Sequence, residues 1–538
     1  MQKTSDLFIK CLEAHQIEYI FGVPWEENLD LLESISTSNI EIIVTRNEQT
    51  AVFMAATYGR FTGKTWVALA TLGPGATNMM TGVAYAQLWW MPVLVITGQK
   101  PIKHSKQGKF QVIDVVWMMK PVTKFSSVIV DGARVPSLLS HAFALAEAEK
   151  PGAVHLELPE DIAGEMIDDD YSPIKFEKIR RPVPDTKAIQ KVIAKLEKAK
   201  KPMILVGAWA NRKRITKYLW AFIQEHTIPF FTSQMGKGVI DERYPQYIGT
   251  AALTSWDHLH KAINQADLIL AIGHDTIEKP TNIIENGKTE LIHISFTEAE
   301  FDELYKPSLQ VIGDIGNTMR QLCEAKIDSK NRDFEEIYSL ANTAKALVHD
   351  NAKKHYDHPV MMPGRLIYEL REILADDDII ALDNGLYKVR FARNYPCYKP
   401  NTLLLDNALA TMWAWYSSAM MAKMLHPKQH VIAVVGDGWF MMNLGDLETA
   451  IKLENDLTII ILNDNAYGMI KWKQHNHNYK DFALDLKNPD FVKLAEAFWA
   501  KGYYIDDPTN FQEQMKKIIN ESWVKIVEVP FSYPIKIE

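Results

Sequence analysis

Apolar and polar positions along the chain alternate between two periods. Short β-branched runs end at Gly, Asn or Asp. Longer stretches with apolar residues every three or four positions follow them. The pattern is plainest at residues 431–469. An apolar run over 431–435 ends at Gly436-Asp437-Gly438, residues 443–453 carry a helical period, and a second run over 457–462 ends at Asn463-Asp464-Asn465. This spacing predicts strand, helix, strand. A crossover of that length makes the strands parallel and adjacent. Their carboxyl ends then lie side by side, where open α/β sheets bind ligands. Each end carries a carboxylate, Asp437 or Asp464. Two hard oxygen ligands, with glycines that let backbone approach closely, suit Mg²⁺ bridging a diphosphate.

The same alternation runs through the rest of the chain. Strands are expected at 19–23, 41–45, 66–71, 93–97 and 154–158, with helices at 50–61 and 76–89. Residues 168–184, rich in charge and proline, read as a linker. Further strands are expected at 203–206, 268–272 and 291–295, and a charged helical stretch at 328–358. A third unit begins near residue 363. The fold class is α/β, with three doubly wound parallel-sheet domains over 1–165, 185–330 and 360–530. A length of 538 residues accommodates three domains.

Composition narrows the class. Apolar residues make up 47% and charged residues 23%, an ordinary globular balance. A net charge of −8 points to no nucleic-acid or acidic-membrane partner. Cys11, Cys323 and Cys397 lack CxxC spacing, which argues against a disulfide framework or zinc site and fits a reducing cytosol. The first residues read as an amphipathic helix leading into a strand, not a signal peptide. No apolar run reaches the length of a membrane span. The expectation is a cytoplasmic protein.

Glu48 stands at a strand–helix junction within Arg46-Asn47-Glu48-Gln49. Alone, it would be an acid favoured at a helix N-terminus. The 431–469 stretch, however, resembles the signature of thiamine diphosphate-dependent enzymes, a GDG followed a little under thirty residues later by a paired Asn. The resemblance implies Mg²⁺ held by Asp437, Asp464 and the carbonyl of Ala466, with Gly436, Gly438, Trp439 and Met469 beside the cofactor. The family's usual Asn is here Asp464, as in catabolic acetolactate synthases. RNEQ resembles the family's RHEQ, which implies that Glu48 bonds N1′ of the aminopyrimidine and drives loss of the C2 proton. Gly73-Pro74-Gly75-Ala76-Thr77-Asn78 resembles the turn in which Pro74 and Asn78 shape the pyrimidine pocket. Phe110-Gln111 resembles a pair whose Gln111 takes part in catalysis. Asp383-Asn384-Gly385-Leu386-Tyr387 resembles the diphosphate-contacting segment, although Leu386 and Tyr387 depart from it. Leu409-Ala410-Thr411-Met412 resembles the segment whose methionine wedges the cofactor into its bent form.

Residues 271–278 resemble the middle unit of catabolic acetolactate synthases. They lack the arginine segment of the FAD-binding branch, so FAD is not expected. Three departures stand out. Trp25-Glu26-Glu27 replaces small residues beside the reacting carbon, Glu160 replaces a lysine, and Trp472 lies one place early. Trp25 either turns inward and shrinks the acceptor pocket or turns outward to an interface. Glu26 and Glu27 would repel a carboxylate.

The resemblance implies a carboligase. It would decarboxylate pyruvate and join the two-carbon unit to a second 2-keto acid, giving 2-acetolactate. Its sites would lie between subunits of a homo-oligomer. A 2-keto acid decarboxylase releasing an aldehyde or using another acceptor is the alternative, and a non-catalytic homologue is the rival of another class. The acceptor, a regulatory subunit, and dimer versus tetramer stay open. Residues 59–65 mimic a phosphate loop, but the spacing is one short. His475-Asn476-His477 offers no ligand set and reads as a mobile surface segment. There is no GxGxxG for a nicotinamide site.

Overall fold

The computed structural model describes residues 1–103, 108–174, 181–211, 213–251, 258–278, 289–301, 305–329 and 332–533. The chain divides into two compact units. One comprises Met1–Arg180, Thr411–Pro427 and Met442–Asn455, and the other Arg181–Ala410, Lys428–Met441 and Asp456–Glu538.

In the first unit, β1 (Gln2–Lys3) pairs with β8 (Met166–Ile167) as a small antiparallel ribbon. The main sheet holds β2 (Tyr19–Gly22), β3 (Glu41–Val44), β4 (Trp66–Ala70), β5 (Val93–Gln99), β6 (Phe125–Val128) and β7 (Ala153–Pro159). Its order is β3-β2-β4-β5-β7-β6, with every pairing parallel. β4, β5 and β7 are buried at every position, whereas the edge strands β3 and β6 are partly open. That is the burial a parallel sheet shows when both faces are covered.

The second unit holds two more parallel sheets. One contains β9 (Pro202–Val206), β10 (Phe230–Thr232), β11 (Tyr247–Thr250), β12 (Leu268–Ile272), β13 (Glu290–Ser295) and β14 (Leu309–Ile312), in the order β11-β10-β9-β12-β13-β14. Met203, Leu205, Phe231, Ile269 and Leu291 anchor its core. The other contains β15 (Ile379–Leu382), β16 (Leu403–Leu404), β17 (Val431–Gly436), β18 (Thr458–Asn463), β19 (Lys501–Tyr504) and β20 (Lys525–Pro530), in the order β16-β15-β17-β18-β20-β19. β17 and β18 are adjacent and parallel, with Ile432 opposite Thr458.

Three parallel α/β sheets agree with the sequence reading. The first and third sheets share one winding. Each chain path moves one strand outward, returns past its start, and fills the far edge out of order. The middle sheet follows the 3-2-1-4-5-6 order instead.

The structure differs from expectation at element ends. The helix expected over 50–61 spans Glu48–Thr62, because the Asn47 side chain caps it by accepting from Gln49 N at 2.8 Å. The helix expected over 443–453 is instead a 3₁₀ turn, Leu444–Asp446, followed by a short helix, Leu447–Lys452. Asp446 explains the break. Its carboxylate accepts from Arg46 N at 2.8 Å and from the hydroxyls of Thr50 (2.6 Å) and Thr449 (3.0 Å). β6 had no clear apolar period and was not expected. The proposed linker is irregular over 168–174, and residues 175–180 of it lie outside the described residues.

Glu157 near the end of β7 is buried. Burial pushes its carboxyl up to about 7, against a hydrogen bond from Gln99 Nε2 at 3.0 Å. The folded value lies above the unfolded one, so the contribution of this group is greatest in acid. It is lost as pH rises from about 4.5 through about 7. Glu157→Gln should flatten that part of the stability–pH curve and stabilise the first unit at pH 8 by on the order of 1–3 kcal/mol. Urea-induced unfolding of variant and wild type at pH 5 and pH 8 checks this. An equal difference at both pH values would contradict it.

Candidate functional site

The first unit gathers one group of expected residues at the carboxyl ends of its strands. Glu48 opens the helix after β3 and is buried. Its Oε2 accepts from Asn78 Nδ2 at 2.9 Å, so two expected residues meet directly. A Cβ on Gly75 would lie 3.2 Å from Glu48 Oε1 and 2.7 Å from Thr71 Cγ2. Glycine is therefore needed here for Glu48 to hold its place. Pro74 sits in the first turn of helix Gly73–Leu88, where its missing N–H costs nothing. Gln111 is exposed and has φ +57°. Its carbonyl oxygen packs 2.4 Å from where a Gly73 Cβ would stand. The structure brings Gln111 to this turn through its backbone.

The flanking loop separates the acids that sequence alone lumps together. Trp25 is 47% exposed and Glu26 is exposed, but Glu27 is turned in. Glu27 Oε1 accepts from Lys100 Nζ at 2.7 Å, and its Oε2 accepts from Thr71 Oγ1 at 2.6 Å. Burial raises the Glu27 carboxyl, yet these two bonds outweigh it and hold the group below its ordinary value. Lys100 and Thr71 were not singled out in the sequence, because neither belongs to a recognisable motif.

The second group lies wholly in the other unit, at the carboxyl ends of β15, β17 and β18. Asp437 follows β17 and is buried, and Asp464 follows β18. Burial first, and the charge of Asp437 second, push the Asp464 carboxyl up to about 7. Burial also raises Asp437. Two neighbouring acids, one raised by the charge of the other, with no basic residue hydrogen-bonded to either among the described residues, form a donor set suited to a hard divalent cation. The backbone turns back after Asp464, so that Gly468 N donates to the Ala466 carbonyl at 3.0 Å. Met469 follows, half-buried, in helix Gly468–Asn476.

Three glycines here are compelled by close approach. A Cβ on Gly438 would meet Leu486 Cδ1 at 2.8 Å, and one on Gly468 would meet Asp464 Oδ2 at 2.7 Å. One on Gly385 would fall 2.2 Å from the Tyr387 ring. Gly436 donates its N–H to the Tyr387 hydroxyl at 3.1 Å, and the Trp439 ring stands 5.3 Å from that of Tyr467. Leu386 and Tyr387, which depart from the family pattern, are both buried. Met412 stands apart from this group, in the first unit, half-buried in the irregular segment before helix Ala414–Leu425.

Two residues here escaped the sequence reading. Asn488 Nδ2 donates to Asp437 Oδ2 at 2.6 Å and lies 3.2 and 3.1 Å from the side-chain oxygens of Asn463 and Asn465. The Tyr533 ring packs on Gly468, and its hydroxyl takes a hydrogen bond from the Tyr387 backbone. Both lie far along the chain in stretches without periodicity. His475 ends a regular helix and pairs with Asp481 at 2.5 Å. Among the described residues there is no cluster of three His, Cys, Asp or Glu that could hold a metal.

Three family profiles match this chain. Residues 2–118 match the thiamine pyrophosphate enzyme N-terminal TPP binding domain, 189–322 the central domain, and 383–529 the C-terminal TPP binding domain. The chain is similar to the acetolactate synthase of Bacillus subtilis (strain 168), at 29% identity over 98% of this chain and 93% of that protein. It is 30% identical to the probable acetolactate synthase large subunit of Methanocaldococcus jannaschii, over 96% of this chain and 90% of that one. It is 27% identical to the catabolic acetolactate synthase of Raoultella terrigena, over 98% and 95%. With three TPP-enzyme profiles matched in order and likeness along nearly its full length, the chain belongs to the thiamine pyrophosphate enzyme family as an acetolactate synthase-like enzyme.

Proposed function

We propose that the protein is a thiamine diphosphate- and Mg²⁺-dependent carboligase. It decarboxylates pyruvate and joins the remaining two-carbon unit to a second 2-keto acid, giving 2-acetolactate. The observation that carries the reading is the pair of acids at adjacent strand ends, Asp437 buried and Asp464 half-buried, present in one chain with a buried, oriented Glu48.

When bound, thiamine diphosphate supplies the carbanion-stabilising centre. The protein's own residues do the rest. Asp437, Asp464 and the Ala466 carbonyl would hold Mg²⁺ against the diphosphate, and Gly436, Gly438 and Gly385 would let backbone come close to it. Glu48 would hold a proton at N1′ of the pyrimidine, and Asn78 fixes the carboxylate that would do so. Trp439, Met469 and Met412 give the ring systems apolar surface. Gln111 would reach the bound cofactor with its exposed side chain.

The domains run over 1–165, 185–330 and 360–530. The pyrimidine half of one chain serves the diphosphate half of another, so a homo-oligomer is the working form. No helix among the described residues is long and apolar enough to cross a membrane, which fits a cytoplasmic enzyme. FAD is not expected in the middle unit. Supporting this, the buried Glu278 carboxylate accepts from Ala208 N (2.9 Å) and bonds Ser233 Oγ at the strand ends where a nucleotide phosphate would bind.

Asp437→Ala should abolish retention of thiamine diphosphate at ordinary cofactor levels, because the bridging cation loses a ligand. Calorimetry that finds wild-type affinity in the variant would remove the metal assignment. Glu48→Gln should leave the fold intact and slow C2–H exchange of bound thiamine diphosphate by roughly a hundredfold or more. NMR exchange at the wild-type rate would show that Glu48 is not the activating acid.

A further inference from the structure

The crevice of the first sheet contains a buried ion pair that the roles above do not use. Glu27 and Lys100 are 5% and 7% exposed, and Lys100 Nζ lies 2.7 Å from Glu27 Oε1. Glu27 follows β2, Thr71 follows β4 and Lys100 follows β5, so the pair with its Thr71 bond ties three neighbouring strand ends together. β2 and β4 flank the point where the winding of this sheet reverses, the place where such sheets receive ligands.

The cluster reaches the expected chemistry. Thr71 Cγ2 and Glu48 Oε1 both crowd the position of a Gly75 Cβ, at 2.7 and 3.2 Å, so Glu27's partner Thr71 and Glu48 pack against the same glycine. The packing is built for Glu27 to point this way. A Cβ on Gly98 would lie 3.1 Å from Glu27 Cβ, and Asn28 Nδ2 holds the loop by donating to the Ala70 carbonyl at 3.1 Å. Lys100 N donates to Gln99 Oε1 at 3.0 Å, which fixes the start of the lysine.

The charge balance is one-sided. Lys100 is the cation of this cluster, and the acids acting on it are Glu27, Glu160 and Glu26. Burial raises the Glu160 carboxyl, Lys100 lowers it, and Glu27 raises it again. An incoming carboxylate would need the Lys100 ammonium, which Glu27 already engages, and would meet two further acids.

We propose that Glu27 is a built-in competitor for the acceptor's carboxylate at Lys100. The pair thereby sets the preference of this site between anionic 2-keto acids and neutral aldehydes. This rests on the carboligase reading. With an aldehyde acceptor, the two-carbon unit from pyruvate forms a bond to the aldehyde carbon. The carbonyl π pair moves to oxygen, which takes a proton. Pyruvic acid plus aldehyde then gives an α-hydroxyketone plus CO₂, with no outside oxidant or reductant. Glu27→Gln keeps the size of the side chain and an oxygen for Thr71, but frees Lys100.

The test uses holoenzyme loaded with thiamine diphosphate and Mg²⁺. Two readouts are the ratio of 2-acetolactate to acetoin formed from pyruvate plus acetaldehyde, and calorimetric affinity for oxamate, an unreactive pyruvate-like anion. Glu27→Gln should raise the ratio about tenfold and tighten oxamate binding about tenfold, the scale of one unit of charge interaction. The double variant Glu27→Gln/Lys100→Met should lose both gains. Unchanged oxamate affinity in Glu27→Gln, or a gain that survives loss of Lys100, overturns the proposal. Oxamate binding needs no turnover. Absence of CO₂ release by the wild type would therefore overturn the carboligase reading alone, and the pair would still be judged by oxamate.

Discussion

Parallel pairing is the constraint on which the rest of the structure depends. When every strand of a sheet runs one way, all carboxyl ends emerge on one edge. Where the winding reverses, adjacent loops leave in opposite directions and open a crevice. In the first sheet that edge receives Glu27, Glu48, Asn78 and Lys100, and in the third Gly385, Asp437 and Asp464. These residues are far apart in sequence. The strands that carry them are fixed by apolar runs buried on both faces, so the chemistry is positioned by the core and not by the loops themselves.

The central strands and the acid pair Asp437 and Asp464 were legible because they depend on local pattern. A β-branched run that stops at Gly-Asp-Gly announces both a strand and the residue at its end. Asn78 and Glu48 were found separately, and the structure joins them with a hydrogen bond. Asn488, Tyr533, Thr71 and Lys100 were not legible. Each does its work through a partner distant in sequence, and nothing in its own neighbourhood marks it. Helix ends were misjudged for a related reason. Asn47 and Asp446 decide them through side-chain bonds to backbone, which periodicity does not register. Glu26 and Glu27 look equivalent in sequence, and only packing separates an exposed acid from one locked against a lysine.

The middle sheet obeys the same rule with a different outcome. Its reversal lies between β9 and β12, and there the chain closes on itself. A Cβ on Gly207 would meet the Gly273 carbonyl and His274 Cα at 2.4 Å. Glu278 accepts there from Ala208 N. The strand ends at this reversal are thus held together by a close glycine contact and a single carboxylate.

Asn488 fastens a late stretch of the chain to the end of β17. Its amide donates into the ring of oxygens formed by Asp437, Asn463 and Asn465. The segment that carries it is stitched back through Tyr467 N to the Leu484 carbonyl and Leu486 N to the Asn465 carbonyl. The placement of the Asp437 carboxylate and that of residues 465–488 therefore depend on one amide, and a substitution at Asn488 would be felt at the end of β17.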